Sequence, residues 1–301
     1  MSFYSTNMPN GAKLWVKTHA IDPTMTKVLI FPSPFQLLDL GSIDLDAANV
    51  LAGRNQFAVG LAPQPHERRD LIMIAALIYH PHVGLVLFDA GSCEDIITSW
   101  GAKTMECSPR NWDKSVHGLA EAIRATGAGE ITDVKAVVMS HLHCDHAGGL
   151  EHFLDTEVEV WCHEEELKNA FWACATRVDQ GPYLKDYLSV DRLNWRTFTG
   201  TVFEVFPGII LHHCPGHTAG SIAMQVNLEK TGTVLLTGDA FHVKENWEEG
   251  IAPGTLTRDW NEWHRSRNYL RSLAQARQAK VILGHERAYF KRLRNSPEYK
   301  E

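Results

Sequence analysis

The pattern of apolar and polar positions is sharpest from residue 70 onward. Residues 71–79 form an unbroken apolar run, His80-Pro81-His82-Val83-Gly84 reads as a turn, and residues 85–88 are apolar again. That is the signature of two strands joined by a tight connection. Residues 113–126 change to helical spacing, with Val116, Leu119 and Ile123 on one face and Gly127 as the stop. Short apolar runs at 136–139 and 158–161 predict buried strands, and 164–176 predicts a helix. In the second half, 209–212, 221–226, 234–237 and 281–283 are strand candidates. Residues 257–278 predict a long helix with Trp260, Trp263, Leu270 and Leu273 turned inward. Before residue 70 the pattern is irregular, because Pro32, Pro34, Pro63 and Pro65 interrupt it. Strands are expected there at 26–31 and 35–40, followed by a long loop or lid over 49–69. Residues 178–195 are irregular too and read as an insertion beside a pocket. Strand and helix alternate throughout, so the expected class is α/β, with chemistry at strand ends. The expected organisation is one domain over 1–301, with residues 1–70 as a cap and 71–290 as the core.

Composition adds limits. The chain has 301 residues, 44% of them hydrophobic and 22% charged, enough for a large core without covalent staples. Its 29 Lys and Arg against 36 Asp and Glu argue against nucleic acid or an anionic membrane as partner. The run at 71–79 is far too short to span a membrane. The first 13 residues are polar, with no signal-peptide core. The six cysteines contain no CxxC pair and read as reduced thiols. A cytoplasmic protein acting on a small molecule is the expectation.

The 16 histidines are the unusual count, and their placement matters more than their number. Ser140-His141-Leu142-His143-Cys144-Asp145-His146 follows an apolar strand directly and packs four ligand-type side chains into six residues. His141 and His143, two apart, can face one ion, and Asp145 and His146 can turn to a neighbouring position. Imidazole and carboxylate donors suit Zn, Fe, Mn or Ni. Three further segments repeat the device: Cys214-Pro215-Gly216-His217-Thr218, Thr237-Gly238-Asp239-Ala240 and Leu283-Gly284-His285-Glu286. Singly, each is an ordinary turn. Together and in this order they suggest a metal centre.

The order and residue types resemble the metallo-β-lactamase superfamily, over about residues 70 to 290; Phe88-Asp89-Ala90-Gly91 also resembles that family's strand-ending D-x-G. The resemblance implies a four-layer αβ/βα sandwich with two mixed β-sheets flanked by helices. It implies two divalent metal ions, Zn first, with Mn and Fe also compatible. His141, His143 and His217 would hold one ion, Asp145, His146 and His285 the other, and Asp239 would bridge them. A shared hydroxide would attack an acyl carbon, Asp145 would orient or move a proton, and Asp89 would fix the tautomer of a ligand imidazole.

Within the superfamily, β-lactamases commonly carry Arg where this chain has His146. The segment Asp239-Ala240-Phe241-His242-Val243-Lys244-Glu245-Asn246 is similar to the D-A-x-Y-x-x-E-N segment of the N-acyl homoserine lactone lactonases. Here His242 replaces the Tyr whose hydroxyl contacts substrate in those enzymes. An imidazole there could donate a hydrogen bond or a proton, which makes His242 a second catalytic candidate. The chain also resembles fungal members of the branch that open fused γ-lactam rings. The expected activity is opening of a small cyclic ester or amide, a lactone or a γ-lactam or cyclic carbamate. The alternatives are a thioesterase of the same fold and a mono-iron, persulfide dioxygenase-like oxidoreductase. Of the remaining residues, His212 is expected to be structural, His163 to sit at a helix start, Cys144 to point away from the metals, and Trp247 to line the pocket.

Overall fold

The apolar run at 71–79 is unbroken because both faces of its strand are covered. In the computed structural model, which describes residues 4–7, 13–16, 35–62, 65–178, 182–183 and 192–294, this strand extends from Arg68 to His80. Leu71, Met73, Ala75 and Leu77 enter one core. Ile72, Ile74, Ala76 and Ile78 enter a second. The two-residue period of a strand sends alternate side chains to opposite faces, and a run apolar at both parities belongs between two layers.

Two short strands, β1 (Tyr4–Asn7) and β2 (Lys13–Val16), pair with each other. The larger sheet contains β3 (Phe35–Asp46), β4 (Arg68–His80), β5 (Gly84–Phe88), β6 (Arg110–Asn111), β7 (Val134–Val138), β8 (Glu159–His163) and β9 (Asn194–Phe198), ordered β6-β3-β4-β5-β7-β8-β9. It is mixed: β3, β4 and β5 run antiparallel to their neighbours, while β5, β7, β8 and β9 are parallel. The second sheet runs in sequence order through β10 (Val202–Phe206), β11 (Ile209–His213), β12 (Ile222–Leu228), β13 (Gly232–Leu236) and β14 (Lys280–Ile282). Only its β13–β14 pair is parallel.

Three cores define four layers. The core between the sheets joins Val86, Phe88 and Val138 to Leu211, Met224 and Leu236. On the outer face of the larger sheet, the helices Ile96–Cys107, Leu119–Thr126 and Glu164–Thr176 contribute Trp100, Ile123 and Ala170. On the outer face of the smaller sheet, the helix Trp260–Arg277 packs Trp263, Leu270 and Ala274 on Ala223 and Leu235. This is the expected αβ/βα sandwich of two mixed sheets.

Several local expectations need correction. The helix expected over 113–126 is two helices, Lys114–His117 and Leu119–Thr126, because Gly118 takes extended ψ of 135°. Val116 therefore leaves the buried face and is 57% exposed. Gly127 does stop the second helix, in the left-handed region at φ 73°. Trp260 is the first residue of its helix and stands 46% exposed, so the inward face is carried by Trp263, Leu270 and Ala274. The helix Ile96–Cys107 and the strands β9 and β10 were not anticipated. The loop expected over 49–69 follows a helical turn, Ala47–Val50, and ends where β4 begins at Arg68. The strand expected at 26–31 lies outside the described residues, as does most of 178–195.

Candidate metal centre

The ends of β5, β7, β13 and β14 bring their following loops to one edge of the sandwich. The loop after β7 is organised by a buried carboxylate. Asp89, in the left-handed region at φ 58°, follows β5. Its Oδ1 accepts the Ser140 backbone N–H at 2.7 Å, and its Oδ2 accepts the Ser140 hydroxyl at 2.7 Å. His146 Nδ1 donates to the same Oδ2 at 2.8 Å, and His141 Nδ1 lies 2.9 Å from the Ser140 hydroxyl. One carboxylate thus orients two imidazoles, the tautomer-fixing role expected of Asp89. His217 and His285 are oriented by carbonyls instead: Nδ1 of each donates, to Leu256 O at 2.8 Å and to Ile72 O at 2.9 Å. An imidazole that donates through Nδ1 keeps a lone pair on Nε2.

These Nε2 atoms converge. His217 Nε2 lies 3.2 Å from His141 Nε2 and 3.0 Å from His143 Nδ1. On the other side His146 Nε2 and His285 Nε2 are 3.2 Å apart, and both stand within 3.7 Å of Asp145 Oδ2. Asp239 sits between the groups. Its Oδ2 faces His217 at 3.3 Å and His141 at 3.6 Å; its Oδ1 faces His285 at 3.0 Å and His146 at 3.2 Å. His141, His143 and His217 form one set with metal-ligand spacing, and Asp145, His146 and His285 form another. These are the residues that the resemblance groups, and Asp239 reaches both sets. His242 joins the cluster as well, its Nε2 3.1 Å from Asp239 Oδ2.

The donors fit a metal. Asp239 Oδ1 is buried without a hydrogen-bond partner among the described residues, although two imidazole nitrogens stand close by. Lone pairs of neutral imidazoles cannot satisfy one another, whereas a cation at their focus satisfies all of them. Nitrogens bound about 2.0–2.1 Å from a tetrahedral ion stand about 3.3 Å apart, close to the spacing of the three-histidine group. Burial, assisted by neighbouring imidazoles, holds His141 and His143 well below the usual histidine range, and it lowers His217 to about 3. These three are neutral and ready to ligate. Burial also opposes charge on His146 and His285, but Asp239 and Asp145 outweigh it and raise both. Burial pushes Asp239 up, yet the imidazoles around it, His242 and His285 foremost, hold it well below the carboxylate range. Protons on His146 and His285 are what a cation would displace.

One organising residue carried no sequence signal of its own role. Glu166, in the first turn of the helix Glu164–Thr176, is fully buried. Its Oε1 accepts Leu142 N–H and the Tyr183 hydroxyl, both at 2.9 Å. Its Oε2 accepts the Thr218 hydroxyl at 2.5 Å and Gly220 N–H at 3.1 Å. It therefore ties the His141–His143 loop to the His217 loop. Tyr183 packs edge-on to the His143 ring at 4.7 Å. Gly220 permits this closeness: a Cβ there would stand 2.1 Å from Glu166 N.

The other candidates sort as follows. His212 bonds Tyr269 at 2.7 Å and Gln225 at 3.1 Å in the second sheet, a structural place. His163 caps its helix, accepting Glu165 N–H. Cys144 packs into the first core. Trp247 does not line the cavity over the metal cluster; it packs edge-on to Phe241 at 4.9 Å, with the Arg271 guanidinium over its ring. The turn after Val243 points it toward the outer helix. That cavity is about 1020 Å³; Leu71, Trp100, Cys107, Tyr183, Leu256 and Arg258 are among its walls, and Asp145, Asp239 and His242 reach it.

The metallo-β-lactamase superfamily domain matches residues 76–285. The chain is 29% identical to the N-acyl homoserine lactonase AiiB of Agrobacterium fabrum, over 87% of this chain and 96% of that protein. It is 30% identical to the N-acyl homoserine lactonase AttM of Rhizobium johnstonii, over 74% of this chain and 85% of that one. In three dimensions it resembles a variant of B. thuringiensis AiiA with N-decanoyl-L-homoserine bound at the active site, with a TM-score of 0.71, 23% identity, and coverage of 87% and 96%. The dizinc quorum-quenching lactonase AidC shares the fold at a TM-score of 0.59 and 16% identity, over 86% and 90%. The chain belongs to the metallo-β-lactamase superfamily, in its lactonase branch of metal-dependent hydrolases.

Proposed function

We propose that this protein opens a small cyclic ester or amide with two divalent ions, Zn first among them, held by His141, His143 and His217 on one side and Asp145, His146 and His285 on the other, with Asp239 between. The observation that carries this reading is Asp239 itself: a buried carboxylate with each oxygen facing a different group of imidazole nitrogens, on the floor of a cavity. When bound, two such ions lower the pKa of water toward neutrality and polarise an acyl carbonyl. The chain's own residues do the rest. The cavity walls hold the ring over the cluster. Asp145 is the least buried of the seven side chains, 13% exposed and on the cavity wall, so it is placed to orient the attacking water and pass its proton to the leaving atom. His242 faces the same space and is the second group within reach of the reacting atoms.

The lactonase relatives favour a lactone, and His242 in place of Tyr extends the proposal to γ-lactams and cyclic carbamates. The test is a panel of lactones, γ-lactams and thioesters offered to the zinc-loaded protein and its Asp239→Ala variant. We expect ring opening by the first and none by the second, with about two ions per chain falling toward none. Thioester cleavage alone, or a single iron with oxygen uptake, would overturn the reading.

A further inference from the structure

We propose that His242 is itself a metal ligand, adding an imidazole beside His217 and the Asp239 carboxylate. The inference rests on the two-ion reading above and concerns only how this residue serves it.

Four of the five ligand histidines have Nδ1 anchored, on Ser140, Asp89, Leu256 O and Ile72 O. The fifth, His143, turns its Nδ1 inward instead. His242 is 1% exposed, yet neither of its ring nitrogens has a hydrogen-bond partner among the described residues. A buried imidazole left unpaired on both sides is costly unless something absent from the protein chain satisfies it.

Position says what that is. His242 Nε2 lies 3.1 Å from Asp239 Oδ2 but without hydrogen-bond alignment. The same oxygen faces His217 Nε2 at 3.3 Å and His141 Nε2 at 3.6 Å. His217, Asp239 and His242 offer three ligand atoms within 4.8 Å of one another. The ring is also held in place. It lies parallel to His285 at 5.5 Å and edge-on to His217 at 4.9 Å. Its backbone N–H donates to Asn246 Oδ1 at 3.0 Å, and its carbonyl accepts His285 N–H at 2.9 Å. These two bonds fix the His242 backbone against the loop that carries His285. The imidazoles of His217 and His242 with the Asp239 carboxylate oxygen suit a borderline first-row divalent cation such as Zn or Co(II) rather than a hard one such as Mg.

The test uses metal-free protein reloaded with Co(II) or Zn against a chromophoric chelator. His242→Phe should weaken one of the two affinities by at least the roughly 10–100-fold that losing an outer partner of a ligand costs, and leave the other unchanged. The visible Co(II) absorption should change, and added imidazole should restore it in His242→Gly. If His242→Phe fails to fold, the wild type decides: loaded with cadmium-113 and labelled with nitrogen-15 histidine, it should show metal–nitrogen coupling at His242. Unchanged affinities and spectra, or no coupling at His242, would overturn the proposal and leave two ions in place. Failure of the wild type to hold two ions would instead defeat the reading beneath it.

Discussion

Removing the Glu166 carboxylate tests whether the ligand loops are held from behind. Glu166→Ala takes one acceptor from Leu142 N–H and the Tyr183 hydroxyl, and the other from Gly220 N–H and the Thr218 hydroxyl. Hydrogen bonds to a charged acceptor contribute about 1.5–3 kcal/mol each, though not additively. Thr218 keeps Ser221 Oγ as a partner, which limits its share. Taking the acceptor from a buried neutral donor costs about 1–3 kcal/mol, so with the sharing by Ser221 the expected loss is about 3–5 kcal/mol in all. Against a total stability of about 5–15 kcal/mol the loss is large. The assay is urea unfolding of the metal-free protein, so that ions do not mask the change. Glu166→Gln keeps the shape but turns an NH₂ toward one pair of donors, so it should fall between wild type and Ala. Chelator competition on the folded variants should show the His141–His143–His217 subsite weakened, because Leu142 and Thr218 sit beside its ligands. A loss below about 1 kcal/mol with unchanged metal affinity would refute the reasoning.

Other expectations follow from the same geometry. Asp89→Asn should lower metal affinity by about 10–100-fold, most at the His146 subsite, as read by two-site chelator titration; equal affinities would show that Asp89 orients nothing. Gly216 has φ 137° and a Cβ there would stand 2.5 Å from Trp263 Cα, so Gly216→Ala should displace the His217 loop and lower the thermal midpoint. An unchanged midpoint would count against that packing. Burial lowers His212 to about 4, so the folded chain refuses a proton that the unfolded chain accepts below about pH 6.5. Stability should therefore fall from pH 6.5 toward 4, by up to about 3 kcal/mol from this residue. His212→Gln should flatten that part of the urea-midpoint profile, and an unaltered slope would exclude His212 as its source.

The sequence exposed the parts of this molecule that depend on its own periodicity or clustering. The run at 71–79 is legible because burial on both faces leaves no polar position. The proposed ligand residues are legible because four fall in one short loop and three sit at Gly-bounded turns. Elements set by tertiary context were not. Gly118 breaks a helix whose spacing continues through it. Strand β9 is mostly half-buried or exposed, so it shows neither alternation nor an apolar run. Glu166 was hidden by its company: with Glu164 and Glu165 it reads as acid complementing a helix N-terminus. The Leu256 and Ile72 carbonyls that orient His217 and His285 have no side-chain signature at all.

The bond from His285 to Ile72 bears on the chain entropy lost in closing the site. It joins residues 213 apart, whereas His146 and Asp89 are 57 apart. By the usual logarithmic law the longer closure costs about 4.7 kcal/mol of chain entropy and the shorter about 3.6. The His285 loop therefore closes at about 1 kcal/mol more chain entropy than the His146 loop. An ion bound between His146 and His285 acts as a latch across the whole sandwich, joining a loop of the first sheet to the end of the second.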